Sequence, residues 1–313
     1  LVLAALALSI AACGDDDGDA GSTTSNGAGA ITRNPDNAGV KLTIGSKTFT
    51  EQKILGEIYA QALAAAGYDV TTKLNLEDEN AALQALKDGQ ISAYPEYTGT
   101  ALLSFFDVPA DELTPDPNEA FEQANAEFAQ DGITALPPTP FTSSNEVAVT
   151  RQTAEKLQLE TISDLRGKEG DLTLYGSPEC RERRDCLLGL QEVYGLAFGS
   201  FVPVDVQERH EVLKNGDADV SIVFTTDPQN KRDGFVLLRD DRGMFPPYNS
   251  TFLVKDSTAA RSGPDLAATV EKVNADLTDE VMQELNARVD LDRETPKQAA
   301  AGYLQQYGFV AAR

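Results

Sequence analysis

The sequence predicts an α/β protein of two lobes built on parallel-rich mixed sheets flanked by helices, and three observations lead there. Short apolar strands alternate with amphipathic helices from about residue 41 to residue 94. A second round of strands runs from about 145 to 238, and a strand at 250–254 then reads as a return to the first unit. Past a polar leader the chain keeps roughly 275 residues, which suits two modest cores better than one growing core. Strand–helix–strand order with short turns calls for a largely parallel sheet with helices laid against it.

The elements follow in order. KLTI at 41–44 opens a strand, and Thr48 or Thr50 can cap the helix after it. Ile54, Leu55, Ile58, Ala62 and Leu63 recur at helical spacing, and Gly67 ends the run. Residues 70–76 form a strand, 80–86 a helix and 91–94 a short strand. Pro137, Pro138 and Pro140 forbid regular helix and mark a passage between units. Strands follow at 145–149, 171–175, 218–224 and 235–238, with a helix at 186–194. Residues 264–313 are mainly helical, and TDEVMQEL at 278–285 is amphipathic. This divides the chain into a discontinuous first lobe, 40–142 plus 249–313, and an inserted second lobe, 143–248. Two segments cross between them as a hinge, and a cleft between lobes is a favoured place for a ligand.

Ahead of residue 40 the chain reads as an address. Residues 1–12 are almost wholly apolar and too few to span a bilayer, and Cys13 follows small residues. That arrangement fits the hydrophobic part of an export signal and a lipoprotein processing site, with Cys13 lipidated. Residues 13–39 are rich in Asp, Gly, Ser, Thr and Asn, which makes a flexible acidic tether. Across the 313 residues, 50 acidic and 26 basic side chains give a formal charge of −24. Such a balance argues against a general grip on nucleic acid and is compatible with a cationic solute.

Cys180 and Cys186 close CRERRDC. In an extracytoplasmic protein this pair is expected to form a disulfide across a short loop. A metal site is the alternative, but no further Cys or His stands nearby, and His210 is the only histidine. No cofactor is expected.

Four strings carry the binding signal: GSKTFTEQ at 45–52, YPEYTGT at 94–100, FTTD at 224–227 and FPPYN at 245–249. With LTDE at 277–280, their order resembles the glycine betaine and choline receptors of bacterial ATP-driven importers, over about residues 40–310. The resemblance implies the type II periplasmic-binding-protein fold, a cleft that closes on its ligand, and delivery to an ABC permease with cytoplasmic ATPase partners. It also implies an aromatic cage for a quaternary ammonium group, whose charge is attracted to ring faces. The matching positions are Tyr97, Asn145, Phe224 and Tyr248. Asn145 stands where a further tyrosine is expected and offers an amide instead of a ring; Phe224 keeps the ring and loses the phenol.

At the opposite end of a zwitterion, Arg183 matches the family's anion-binding arginine and can donate two parallel hydrogen bonds to a carboxylate. Arg181 and Arg184 are its neighbours in the same loop. Ser46, Lys47 and Gln52 in the first motif, Thr98 in the second and Thr225 in the third are further candidate ligand contacts. Each also has an ordinary alternative as a helix cap, a surface group or a local backbone partner. The expected ligand is a small zwitterion or quaternary ammonium compound of glycine betaine type. Another betaine such as ergothioneine or carnitine is the alternative, given Asn145.

Two other functions compete. A hydrolytic enzyme would need converging acids, yet Glu51, Glu57, Glu96 and Asp227 show no spacing that implies convergence, and no nucleophile turn is present. A sensory binding protein would use the same cleft and dock on a membrane receptor instead of a permease.

Overall fold

The structure, a computed structural model, describes residues 29–109 and 112–311. Cys13 and the signal segment lie outside them. The first unit opens with β1 (Lys41–Lys47), α1 (Thr50–Ala65), β2 (Asp69–Leu76), α2 (Glu79–Lys87) and β3 (Ala93–Tyr97). It continues with a single helical turn, α3 (Thr98–Thr100), then α4 (Pro117–Gln130) and β4 (Ile133–Ala135). The second holds β5 (Asn145–Val149), α5 (Arg151–Leu157), β6 (Thr173–Gly176), α6 (Leu187–Glu192) and β7 (Ser200–Pro203). It closes with α7 (Glu211–Asn215), β8 (Val220–Phe224), α8 (Pro228–Arg232) and β9 (Val236–Leu238). The chain then returns through β10 (Ser250–Lys255), α9 (Asp256–Ser262), α10 (Pro264–Asn274), α11 (Asp279–Asp290) and α12 (Pro296–Gln306).

Two five-stranded mixed sheets result. The first runs β2-β1-β3-β10-β4 and the second β7-β6-β8-β5-β9. In the first, β1 lies parallel to both β2 and β3, while β10 runs antiparallel to β3 with Ser250 opposite Tyr97 and Val254 opposite Ala93. In the second, β6 is parallel to β7 and β8, and β5 is antiparallel to β8 with Asn145 opposite Phe224. The two passages between sheets touch through a bridge of Thr142 with Asn249. Asn249 also donates its amide to the carbonyls of Thr139 (3.0 Å) and Phe141 (3.1 Å), which binds the outgoing strand to the returning one.

Each sheet has its own apolar core. Leu42 and Ile44 point from β1 toward Ile54, Leu55, Ile58 and Tyr59 of α1, all fully or almost fully buried. Val147, Val149, Leu174 and Val220 gather in the second core with Leu190 and Tyr194. The start of α1 departs from expectation. Its N-cap is Phe49, without a side-chain cap, and neither Thr48 nor Thr50 fills that role. Thr50 instead donates to Asp290 of α11 at 2.6 Å, so a tertiary bond takes the hydroxyl that a local cap would have used. Helix α4 gave little apolar pattern to read, because only Ala120, Ala124 and Phe128 are buried along it. Its start is nonetheless marked: Asp116 accepts from the amides of Asn118 and Glu119, and Pro117 follows the cap.

Candidate ligand-binding cleft

A cleft opens between the two sheets where several strands end. Lys47 is the last residue of β1, Tyr97 of β3 and Phe224 of β8, and the loop carrying Arg183 follows β6. Side chains at carboxyl ends of parallel strands face outward from the sheet, where the loops leave room for a ligand. Lys47, Tyr97, Asn145, Arg183, Phe224 and Tyr248 line this cleft, together with Phe49, Glu79, Ser143 and Arg209.

Three rings form one wall. Phe49 stacks on Tyr97 with centroids 6.3 Å apart and lies 5.4 Å from Phe224 at a tilt of 45°. Two protein cations already occupy ring faces here. The Lys47 ammonium is 5.1 Å from the Tyr97 centroid and 5.9 Å from that of Phe49. The Arg209 guanidinium carbon is 4.5 Å from the Phe224 centroid. These distances lie within cation–π range, so the ring faces already meet positive groups of the protein itself.

Behind the rings sits a carboxylate network. Tyr97 donates its hydroxyl to Glu51 at 2.7 Å, and Glu51 also accepts from Thr226 (2.6 Å) and Asn286 (2.9 Å). Burial pushes the Glu51 carboxyl above its ordinary range against these donors. Lys47 pairs with Glu96, whose carboxyl burial also raises while the ammonium opposes that shift. Arg209 grips Asp227 through two N–H groups, Nε at 2.7 Å among them. Although burial works against it, the guanidinium holds the Asp227 carboxyl far below the usual carboxylate range.

The Cys180–Cys186 disulfide, with Cα atoms 5.1 Å apart, closes the loop that presents Arg183. Within that loop Asp185 is fully buried and accepts from Arg183 Nε (2.7 Å), from the Asn145 amide (3.0 Å) and from the Tyr248 hydroxyl. Arg183 also reaches across the cleft to Glu79 at the start of α2 (2.6 Å). Burial opposes the Asp185 charge, yet the guanidinium holds its carboxyl below the ordinary value. Glycine is required opposite Tyr248, because a Cβ on Gly99 would come within 2.7 Å of that ring.

The remaining sequence-predicted candidates stand behind the cleft wall. Ser46 donates to the Lys47 carbonyl (3.0 Å), and Gln52 accepts from the Lys47 amide (3.4 Å). Thr98 donates to the Pro247 carbonyl (2.8 Å), and Thr225 accepts from the Ser144 amide (3.1 Å). They support the backbone of β1 and of the crossing segments. Sequence reasoning missed Phe49, Ser143, Glu79 and Arg209 in the wall, and Asp185 as the node behind it. Phe49 lies inside GSKTFTEQ and Asp185 inside the Cys loop, so position within motifs was the one available signal. Among the described residues no cluster of three or more His, Cys, Asp or Glu side chains could hold a metal ion.

Residues 40–306 match the model of the substrate binding domain of the ABC-type glycine betaine transport system. The chain is a solute receptor, and it belongs to that family. It is 33% identical over 277 residues to a glycine-betaine-binding protein of Pseudomonas aeruginosa, covering 85% of this chain and 88% of the relative. It is 26% identical over 269 residues to the ergothioneine transport permease/ergothioneine binding protein EgtU of Helicobacter pylori, covering 85% of this chain and 48% of that longer protein. A crystal structure of a glycine betaine/carnitine/choline ABC transporter protein superposes with a TM-score of 0.68 at 24% identity, over 85% of this chain and 98% of the other. That fold is the α/β type II periplasmic substrate-binding architecture with its two mixed sheets. Its role is substrate binding for ABC import on the extracytoplasmic side, not catalysis. Among the described residues no helix is long and apolar enough to cross a membrane.

Proposed function

We propose that this receptor binds a glycine betaine-type zwitterion in the cleft between its sheets and hands it to an ABC permease. The observation that carries the reading is the ring wall of Tyr97, Phe49 and Phe224, with positive groups held over its faces. A trimethylammonium head suits such a wall because it carries charge without N–H groups that demand acceptors. Tyr97, Phe224 and Tyr248 engage this head; Lys47 and Arg183 serve the carboxylate end. The lobes that close on the ligand are 40–142 with 249–313, and 143–248. Contacts already spanning them, Arg183 with Glu79 and Glu51 with Thr226, favour the closed arrangement. Ser46, Gln52, Thr98 and Thr225 hold the backbone that positions these groups. Cys13 is the lipid-anchored residue in this reading, and Cys13→Ser is expected to move the exported protein from the membrane to the soluble fraction.

A second reading, an ergothioneine-like betaine, is favoured by Asn145. Its amide replaces a ring and is tied to Asp185, which makes that side of the cleft polar. Calorimetry of the purified protein with glycine betaine, carnitine and ergothioneine separates the two. Tightest binding of glycine betaine supports the first; tightest binding of ergothioneine supports the second; heat from none of them contradicts both.

A further inference from the structure

Helix α11 carries a polar stripe beside its apolar face. Met282 and Leu285 belong to the first core, while Gln283, Asn286 and Asp290 follow one another at helical spacing. All three reach across the line between the lobes, to α8 or to the turn before it. Gln283 donates to the Thr225 carbonyl (3.4 Å), Asn286 donates to the Thr226 carbonyl (3.2 Å), and Asp290 accepts from the Gln229 amide (2.9 Å). The first turn of α1 completes the arrangement. Glu51 accepts from the Thr226 hydroxyl (2.6 Å) and the Asn286 amide (2.9 Å), and Thr50 donates to Asp290 (2.6 Å). We propose that this stripe is a clasp between the lobes, outside the ligand cleft, that sets how readily the receptor closes and so scales its affinity for every solute by one common factor. The proposal rests on the division into two closing lobes given above.

Placement separates the clasp from recognition. Thr50, Glu51, Thr226, Gln229, Asn286 and Asp290 do not line the cleft, so a solute does not touch them. Bonds made when the lobes meet lower the free energy of the closed form whatever the cleft holds. Apparent affinity is proportional to the population of the competent form, so the clasp multiplies every affinity alike and leaves the ratio between solutes alone. Parting the lobes takes the Thr226 hydroxyl from the buried Glu51 carboxylate, while Tyr97 and Asn286 stay with it on the first lobe. A buried acceptor that loses a donor costs free energy until water replaces it, which favours the joined arrangement. Asp290 is the outer end of the clasp. Thr50 of its own lobe holds Oδ1, which fixes the carboxylate with Oδ2 turned to Gln229.

The test alters Gln229, which is half-buried and stands at the edge of the clasp. Calorimetry with glycine betaine and with carnitine is run on the wild type, on Gln229→Ala and on Gln229→Glu. The alanine variant removes one hydrogen bond to a charged acceptor and is expected to weaken both solutes about three- to tenfold. The glutamate variant sets a like charge against Asp290 and is expected to weaken both further. The ratio of the two affinities is expected to stay within about twofold of the wild-type ratio. Loss confined to one solute overturns the proposal, because Gln229 would then be acting on the ligand. Unchanged affinities with a lower thermal midpoint also overturn it, since the contact would then serve stability alone. Small-angle scattering of the ligand-free proteins reads the same equilibrium with no solute. Gln229→Glu is expected to be more expanded than the wild type, and identical curves overturn the proposal. Wild-type protein that gives no heat with either solute counts against the betaine reading, and the scattering comparison then decides this inference by itself.

Discussion

Tyr97 performs two tasks with one side chain. Its ring stands beside Phe49 in the wall proposed to receive the ligand's cationic head, and its hydroxyl donates to Glu51, which also takes Thr226 from the other side of the cleft. Removing the ring in Tyr97→Ala is expected to weaken glycine betaine binding about tenfold, in line with about 0.5–2 kcal/mol for one cation–π contact plus lost packing. Calorimetry checks this, with Tyr97→Phe keeping the ring as the comparison. Glu146, next to Asn145, carries a second prediction at this scale. Burial, and after it the Asp240 charge, raise its carboxyl from an ordinary 4.5 to about 7. An acid with a raised folded value binds more protons folded than unfolded, so its contribution is fully present below about 4.5 and is lost as pH rises to about 7. The shift corresponds to about 3 kcal/mol at most, reduced to roughly 1–2 because the group is partly exposed. Glu146→Gln is therefore expected to raise the thermal midpoint by several degrees at pH 8 and to give no gain at pH 5. At this scale the legible part of the cleft came from motifs. Tyr97, Phe224 and Tyr248 were readable because their strings occur in a recognisable order, and Arg183 because it falls at the family's arginine position within the Cys180–Cys186 loop. Glu51, Asp185 and Arg209 were not, because a charged residue in a sequence carries no mark of whether the fold will bury and pair it.

Among the elements, the Cys180–Cys186 loop matters most to the cleft. It holds Arg183 and the Asp185 carboxylate on which Asn145 and Tyr248 converge. Replacing both cysteines with alanine is expected to cost about 2 kcal/mol from loop entropy. Ligand affinity is expected to fall as well, since Arg183 loses its fixed approach to Glu79. Chemical denaturation and calorimetry on the one double variant read the two effects. Strands and helices with strong periodicity are legible in the amino-acid pattern itself: α1 through Ile54, Leu55 and Ile58, β8 through its continuous apolar run. The start of α1 was misread because Thr50 had two uses, and the sequence does not say that Asp290 would arrive to take its hydroxyl. Helix α4 escaped because three small or apolar contacts on one face give too weak a pattern to separate from a loop.

For the whole molecule, the order of the strings mattered more than any one of them. That order led to a type II architecture, and the family match over residues 40–306 now stands beside it. What strings could not supply is the relation between distant parts: Glu51 meeting Thr226 and Asn286, or Arg183 reaching Glu79, depends on how two sheets face each other. The central claim is that this cleft holds a zwitterion with its cationic head on the ring wall. A crystal structure of the protein grown with glycine betaine tests it most directly. The account predicts the quaternary nitrogen within about 6 Å of the Tyr97 and Phe224 centroids, with the carboxylate on Lys47 or Arg183. Glycine betaine bound outside the gap between the sheets, or its head group turned away from those rings, would contradict it.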